Sequence, residues 1–508
     1  MTVLEPPSVQ TIPPSAAAFR VTNPVTGALI GELPVHNSEA VAQAVRRARD
    51  AQPAWEALGV KGRMRCIDAF NRLLWARRDR IIEIIRRETG KTEGGAFTEV
   101  LVMDLETLYY KRHAARLLRR QWRTPAYPMA NNAQVAYRPY GVVGLITPWN
   151  YPLLLGLCDA VQALIAGNAV VIKPSEVTPY TSLQVIEWMR EAGLPDDVAQ
   201  VVTGLGATGA ALIDHVDYVS FTGSTATGRK VAVRCAERLI PCSLELGGKD
   251  PAIVTADADM DDAARCVLTG ALENAGQACV STERVYVEAA VYEPFMRALT
   301  DHAQRVVMSS GGGLGVHVGS MTNERELIRV EEQIAEAVAM GAKVIVGGKR
   351  RPDIGPLFFE PTILTDVTHD MRLMRDETFG PLIPVMRVES LDEAVKLAND
   401  SEYGLSAAIY SKNIREARRL ARRIVAGDVT INHPMLTFAT PGAPMGGAPG
   451  RQSGIGRRNG AEGLLRFVSP QTVTVDTGLV FAPHLSHTPP RVIAVARLMH
   501  HLRRWLPL

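Results

Sequence analysis

A chain of 508 residues that is 46% hydrophobic and 21% charged, with a formal net charge of +3, has the make-up of a globular protein of more than one domain. Its near-balance of charge leaves no bulk field to draw it to nucleic acid. The six cysteines include no CxxC pair and the eleven histidines no ligand-spaced cluster, so neither a disulfide framework nor a metal site is expected, and a reducing compartment, the cytoplasm, fits.

Residues 1–17 are rich in Pro, Ser and Ala. They lack the charged and apolar regions of a signal peptide and read as a disordered arm. Residues 38 to 122 read as helices. One is led by Ser38-Glu39-Ala40, and another runs from Gly62 to Glu88 until Gly90 stops it. Lys111-Arg112-His113, continued by Arg116, Arg119, Arg120 and Arg123, reads as a solvated helix face. From Gly141 the texture changes. Strands at 141–146, 169–172, 199–203 and 217–221 alternate with helices at 152–166, 179–192 and 226–236, which predicts βαβ units and a parallel sheet. A second alternating block runs from about 250 to 448, with strands at 284–288, 343–346, 382–386 and 428–432. Residues 126–140 and 470–477 are β-patterned but fit neither block, and suit subunit contacts. The basic amphipathic stretch at 491–506 reads as a helix docked on the body or on a partner subunit, with a membrane surface as the alternative.

Gly204-Leu-Gly206-Ala-Thr-Gly209 is a literal G-x-G-x-x-G between strand and helix, but no acidic residue ends a following strand at the expected distance. Other strand ends say more. Ile146-Thr147-Pro148-Trp149-Asn150 ends one strand, Ile172-Lys173-Pro174-Ser175-Glu176 the next, and Phe221-Thr222-Gly223-Ser224-Thr225 a third. Ligands of doubly wound sheets sit outside the carboxyl ends of the strands, so these clusters converge on one crevice. Ser224 can cap its helix there, where free N–H groups face an anion. Two segments add reactive groups. Leu244-Glu245-Leu246-Gly247-Gly248-Lys249 offers a carboxylate in an apolar, glycine-rich setting, and Gly276-Gln277-Ala278-Cys279 a sulfur. A thiol that forms a covalent intermediate, with a base that activates water to release it, makes a two-step catalyst.

With Glu377-Thr378-Phe379-Gly380-Pro381 added, these motifs resemble the NAD(P)-dependent aldehyde dehydrogenases from about residue 20 to 477, in family order and with 34 residues from Glu245 to Cys279. The resemblance implies an α/β fold. A Rossmann-type cofactor domain would cover 18–120 and 142–247, and an α/β catalytic domain 248–448. A small β oligomerisation element would come from 121–141 and 463–477, and a tail would follow from 478 to 508. It implies Cys279 as nucleophile, Asn150 with the Cys279 backbone N–H as oxyanion hole, and Glu245 as base for the hydrolytic water. It also implies Lys173 and Glu176 on the adenosine ribose, Glu377 on the nicotinamide ribose, and Thr147, Trp149, Gly223 and Ser224 along the pyrophosphate path. Phe379 would pack by the nicotinamide, and the Gly206 loop near the adenine. NAD is expected over NADP, because Glu176 would accept from a free 2′-hydroxyl and repel a 2′-phosphate. The partners expected are a small-molecule aldehyde and further copies of the chain, in a homodimer or homotetramer.

Residues 351–358 and 443–458, with the long tail, look like a bacterial succinate-semialdehyde dehydrogenase branch. Some members of that branch place an arginine six residues before the nucleophile to hold a distal carboxylate. Here that residue is Glu273, which disfavours an anionic substrate if it faces the tunnel. The reading is therefore a broad-specificity aldehyde oxidiser, with succinate semialdehyde as the named candidate. A CoA-acylating dehydrogenase of the same fold and a non-catalytic family member are the alternatives. Neither would need Glu245, Cys279 and Asn150 together.

Overall fold

The computed structural model describes residues 17–124 and 131–477 and six positions of the tail. Residues 1–16 of the expected N-terminal arm, residues 125–130 of the expected β element and most of the amphipathic stretch lie outside the described residues. Within that stretch Ile493, Ala494, Arg497, Leu498, His500 and His501 are helical and exposed.

Short runs of Val, Ile and Leu build the first sheet. Its six strands lie in the order Gly454–Ile455, Cys242–Glu245, Tyr218–Thr222, Val142–Ile146, Ala169–Lys173, Ala199–Val201. All pair in parallel except Gly454–Ile455, which runs antiparallel to Cys242–Glu245. The chain winds outward from Val142–Ile146 to Ala199–Val201, then returns to its other side with Tyr218–Thr222. The order reverses between Val142–Ile146 and Tyr218–Thr222, where a crevice opens at the carboxyl ends. The helix Leu154–Ala166 is buried along its whole length, and apart from Asp159 and Gln162 its side chains are apolar or small.

A second sheet of seven strands runs Lys343–Val346, Thr362–Thr365, Leu382–Val388, Thr282–Glu288, Asp250–Val254, Ser406–Tyr410, Asp428–Ile431. Only its first pair is antiparallel. The two sheets make the molecule an α/β protein of Rossmann-like parallel sheets.

A third sheet stands apart. Val468–Asp476 pairs antiparallel with Asn131–Pro139 along its full length, and Gln121–Arg123 pairs on the other side. Val473, Val475 and Trp122 are exposed on it.

Two local expectations shift. The run from Gly62 to Glu88 is two helices, Gly59–Ala76 and Arg78–Thr89, because Arg77 leaves helical geometry at φ −104°, ψ 20°. The second ends at Gly90, whose φ of 74° is left-handed. The helix expected from Pro152 begins at Leu154. Its N–H groups at Leu153 and Leu154 donate to the Glu99 carboxylate at 3.0 and 2.9 Å, so an acid from a different helix serves as its cap.

Candidate functional site

A groove of about 760 Å³ follows the carboxyl ends of the first sheet and runs inward to Cys279. Thr147, Trp149 and Asn150 line it after the central strand, Lys173 and Glu176 after the next, and Gly223 and Ser224 after Tyr218–Thr222. Gly206 lines it at the start of the helix Gly206–Ile213, and Glu377 and Phe379 face it from the second sheet. Every residue that the sequence singled out for cofactor or chemistry therefore borders one cavity.

Ser224 accepts a hydrogen bond from the Thr227 N–H at 3.4 Å, capping the helix Thr225–Glu237, whose N-terminus suits an anion. Lys173 donates to Glu176 at 3.1 Å. The rings of Trp149 and Phe379 meet edge-on, with centroids 5.4 Å apart. A groove of this volume, lined by a helix N-terminus and by the carboxylates of Glu176 and Glu377, fits an extended dinucleotide.

The inner end holds the reactive groups. Asn150 is buried and donates through Nδ2 to the Gln277 carbonyl at 3.0 Å. That bond uses one amide hydrogen and leaves the second free. Asn274 donates to the Asn150 carbonyl at 3.0 Å and fixes the turn. The Gln277–Cys279 turn is held by close backbone packing. A side chain at Gly248 would strike the Cys279 carbonyl, and one at Gly276 (φ 76°) the Gly380 carbonyl.

Burial pushes the Glu245 carboxyl up to about 7, against the pull of Arg458. Its Oε1 has no hydrogen-bond partner among the described residues. Burial, with the nearby charges of Glu245, Asp250 and Glu377, pushes the Cys279 thiol up to about 12. Glu377 is raised to about 8 by burial and by Glu283, and accepts from the Gly248 N–H at 3.0 Å.

The aldehyde dehydrogenase family model matches residues 12–473. The chain belongs to this family. It is thereby an oxidoreductase acting on aldehydes. A protein of Mycolicibacterium smegmatis, provisionally named a succinate-semialdehyde dehydrogenase (NADP+), is 42% identical over 462 residues, 91% of this chain and 89% of its own. The 4,4'-diapolycopene aldehyde oxidase of a Methylomonas species is 40% identical, over 88% and 84% of the two chains. Among solved structures, a betaine aldehyde dehydrogenase point mutant from Staphylococcus aureus, in complex with NAD+, superposes with a TM-score of 0.88 at 32% identity, covering 93% of this chain and 97% of that one.

In this aldehyde dehydrogenase one side chain lies away from where the specificity argument needs it. Glu273 borders neither the groove nor the cavity on the other flank of Cys279. Its charged neighbours are Lys91 and Glu99, and burial raises its carboxyl. It borders a separate cavity instead, with Leu272, Arg305 and His317.

Supporting residues also emerge that the sequence reading did not single out. Glu283, buried, accepts from the Thr378 and Phe379 N–H groups at 2.8 Å each and from Lys249 Nζ at 2.7 Å. It thus clamps the loop that carries Glu377 and Phe379. Glu99 pairs with Lys91 at 2.6 Å, and Lys91 lies 3.6 Å from the centre of the Tyr151 ring, next to Asn150. Asp159 accepts from Arg458 through both oxygens at 2.9 Å and also from Arg466 and Ser220. Their shared signal is a charged residue inside a buried, apolar run.

Proposed function

We propose that this chain oxidises an aldehyde to its carboxylic acid, with NAD as hydride acceptor, through a thiohemiacetal and then a thioester on Cys279. The observation that carries the reading is that Cys279, Asn150 and Glu245 border one groove together with the residues suited to a dinucleotide. The Cys279 thiolate adds to the aldehyde carbon, and the oxygen takes up the negative charge. The free Asn150 amide hydrogen and the Cys279 N–H stabilise that oxygen, an effect worth on the order of 10²–10³ in rate. Bound NAD would supply the hydride acceptor and a positive ring charge that favours the thiolate. Lys173, Glu176, Ser224, Glu377 and Phe379 would hold it. Loss of hydride leaves a thioester. Ionised Glu245 takes a proton from water, the hydroxide adds to the thioester carbon, and the acid leaves as the Cys279 sulfur is released.

Glu176 supports NAD, since its carboxylate matches a ribose 2′-hydroxyl. A specific observation also favours NADP: Lys173 partly neutralises Glu176, and Lys230 lines the same stretch of groove. The relative's printed name, with NADP+ and succinate semialdehyde, points to that cofactor and to that substrate. Glu245 argues against CoA acylation, which needs no water-activating base. The exposed third sheet supports a homodimer or homotetramer.

The test is NADH or NADPH absorbance with each cofactor and a panel of aldehydes, with and without CoA. Reduced cofactor without CoA is expected. No reduction with any aldehyde would overturn the enzyme reading, and reduction only with CoA would overturn the hydrolytic step. Light scattering reads the subunit number.

A further inference from the structure

Cys279 borders a second, small cavity on the flank away from the cofactor groove. This cavity is the space an aldehyde must occupy to meet the thiol opposite the cofactor. Tyr151, Leu154, Leu155, Phe438 and Met445 give it an apolar wall. Its volume of about 20 Å³ holds roughly one water, so a substrate chain must be slender or must displace flexible side chains such as Met445.

One acid interrupts the apolar wall. Glu106 lines the cavity from the helix Glu93–Leu117 and is 4% exposed. The next residues of that helix are anchored. Tyr110 donates to the Gly460 carbonyl at 3.1 Å, tying the helix to the turn that carries Arg458. Arg458 also lines the cavity and is the one group there that could attract an anionic tail. It is already engaged. Its Nε and Nη2 donate to Asp159, and Nη2 also donates to Thr222 at 2.7 Å. Glu106 lies within its field, and burial raises its carboxyl to about 7 against the pull of Arg458, so above that pH it is largely ionised. A carboxylate entering this space would meet a second carboxyl group in a site with little water to screen the two.

We infer that Glu106 is a specificity-determining residue of the substrate cavity, which selects unbranched neutral aldehydes, or those carrying a hydrogen-bond donor, and rejects aldehydes with a terminal carboxylate. Glu106 lines the same cavity as Arg458 and lies in its field, so a substrate carboxylate drawn toward Arg458 would meet it. Glu106→Gln removes the like charge, keeps the volume and leaves Arg458 in place. The inference rests on Cys279 as the nucleophile of the proposed reaction.

The test compares kcat/KM at pH 8, where the Glu106 carboxyl is largely ionised, for butanal and for succinate semialdehyde, which differ by the terminal carboxylate on the same four-carbon chain. The wild-type protein is expected to favour butanal by about tenfold or more, and Glu106→Gln to shift the ratio at least about tenfold toward succinate semialdehyde. The wild-type comparison decides on its own if the variant does not fold. A wild-type protein that favours succinate semialdehyde, or an active variant with an unchanged ratio, overturns the assignment alone. Absence of cofactor reduction with either aldehyde overturns the reading of Cys279 and this assignment with it.

Discussion

Replacing Glu245 with Gln tests the hydrolytic base through two independent readouts. Gln keeps the shape and removes the proton acceptor. If Glu245 acts only after hydride transfer, stopped-flow mixing with NAD and aldehyde should give a first-turnover burst of NADH, followed by a steady rate lower by about 10²–10⁴. In the wild-type protein the hydrolytic step needs the ionised carboxylate. Its rate should rise about tenfold per pH unit below about 7 and level off above it. Stability gives the second readout. The carboxyl's value is raised on folding, from 4.5 to about 7, so its neutral form is the one the fold favours. The stability this lends is complete below the unfolded value and is lost as pH rises through about 7. At pH 8 the ionised group costs at most about 3 kcal/mol, from about 1.4 kcal/mol per unit. Glu245→Gln escapes that cost, so its stability relative to wild type should rise between pH 5 and pH 8 in denaturant unfolding. Unimpaired steady turnover would remove Glu245 from the mechanism, and a pH-independent stability difference would refute the burial argument.

Cys279→Ala should abolish aldehyde oxidation while leaving NAD affinity within about twofold by calorimetry or fluorescence, because the thiol only borders the groove. Lys249→Met leaves Glu283 buried without its cation and should cost about 3–5 kcal/mol in denaturant unfolding. Glu176→Ala should raise the NADP-to-NAD ratio of kcat/KM by about tenfold, read from paired saturation curves, since the carboxylate that opposes a 2′-phosphate is gone while Lys173 and Lys230 remain.

Parts of this architecture were legible in the sequence because their signals are local. Val142–Ile146, Ala169–Lys173 and Tyr218–Thr222 are short buried strands, each ending in or followed at once by a polar residue. Their alternation with helices was enough to place those residues on one crevice. Cys279, Glu245 and Asn150 stood out as polar groups beside glycine, proline or small residues. The supporting charges were not legible, because their partners lie far along the chain. Asp159 meets Arg458 across 299 positions, and Glu283 meets Thr378 across 95. No periodicity reports such pairings. The start of the helix after Asn150 was misplaced for the same reason, since its cap is Glu99, 54 residues earlier.

An acid in an apolar run is an ambiguous signal, for Glu99, Glu106, Glu283 and Asp159 share it with Glu245. The difference lies in what occupies the oxygens. Glu99, Glu283 and Asp159 each accept at least three hydrogen bonds from donors fixed by the fold, so most of the roughly four lone-pair sites of each carboxylate are already taken and its charge is held by fixed donors. Glu245 keeps an oxygen without a partner among the described residues, beside the thiol and inside the groove. Glu273 and Asp250 also keep such an unpartnered oxygen, so it is the position of Glu245 in the groove, close enough to raise the Cys279 thiol, that marks it as the candidate base.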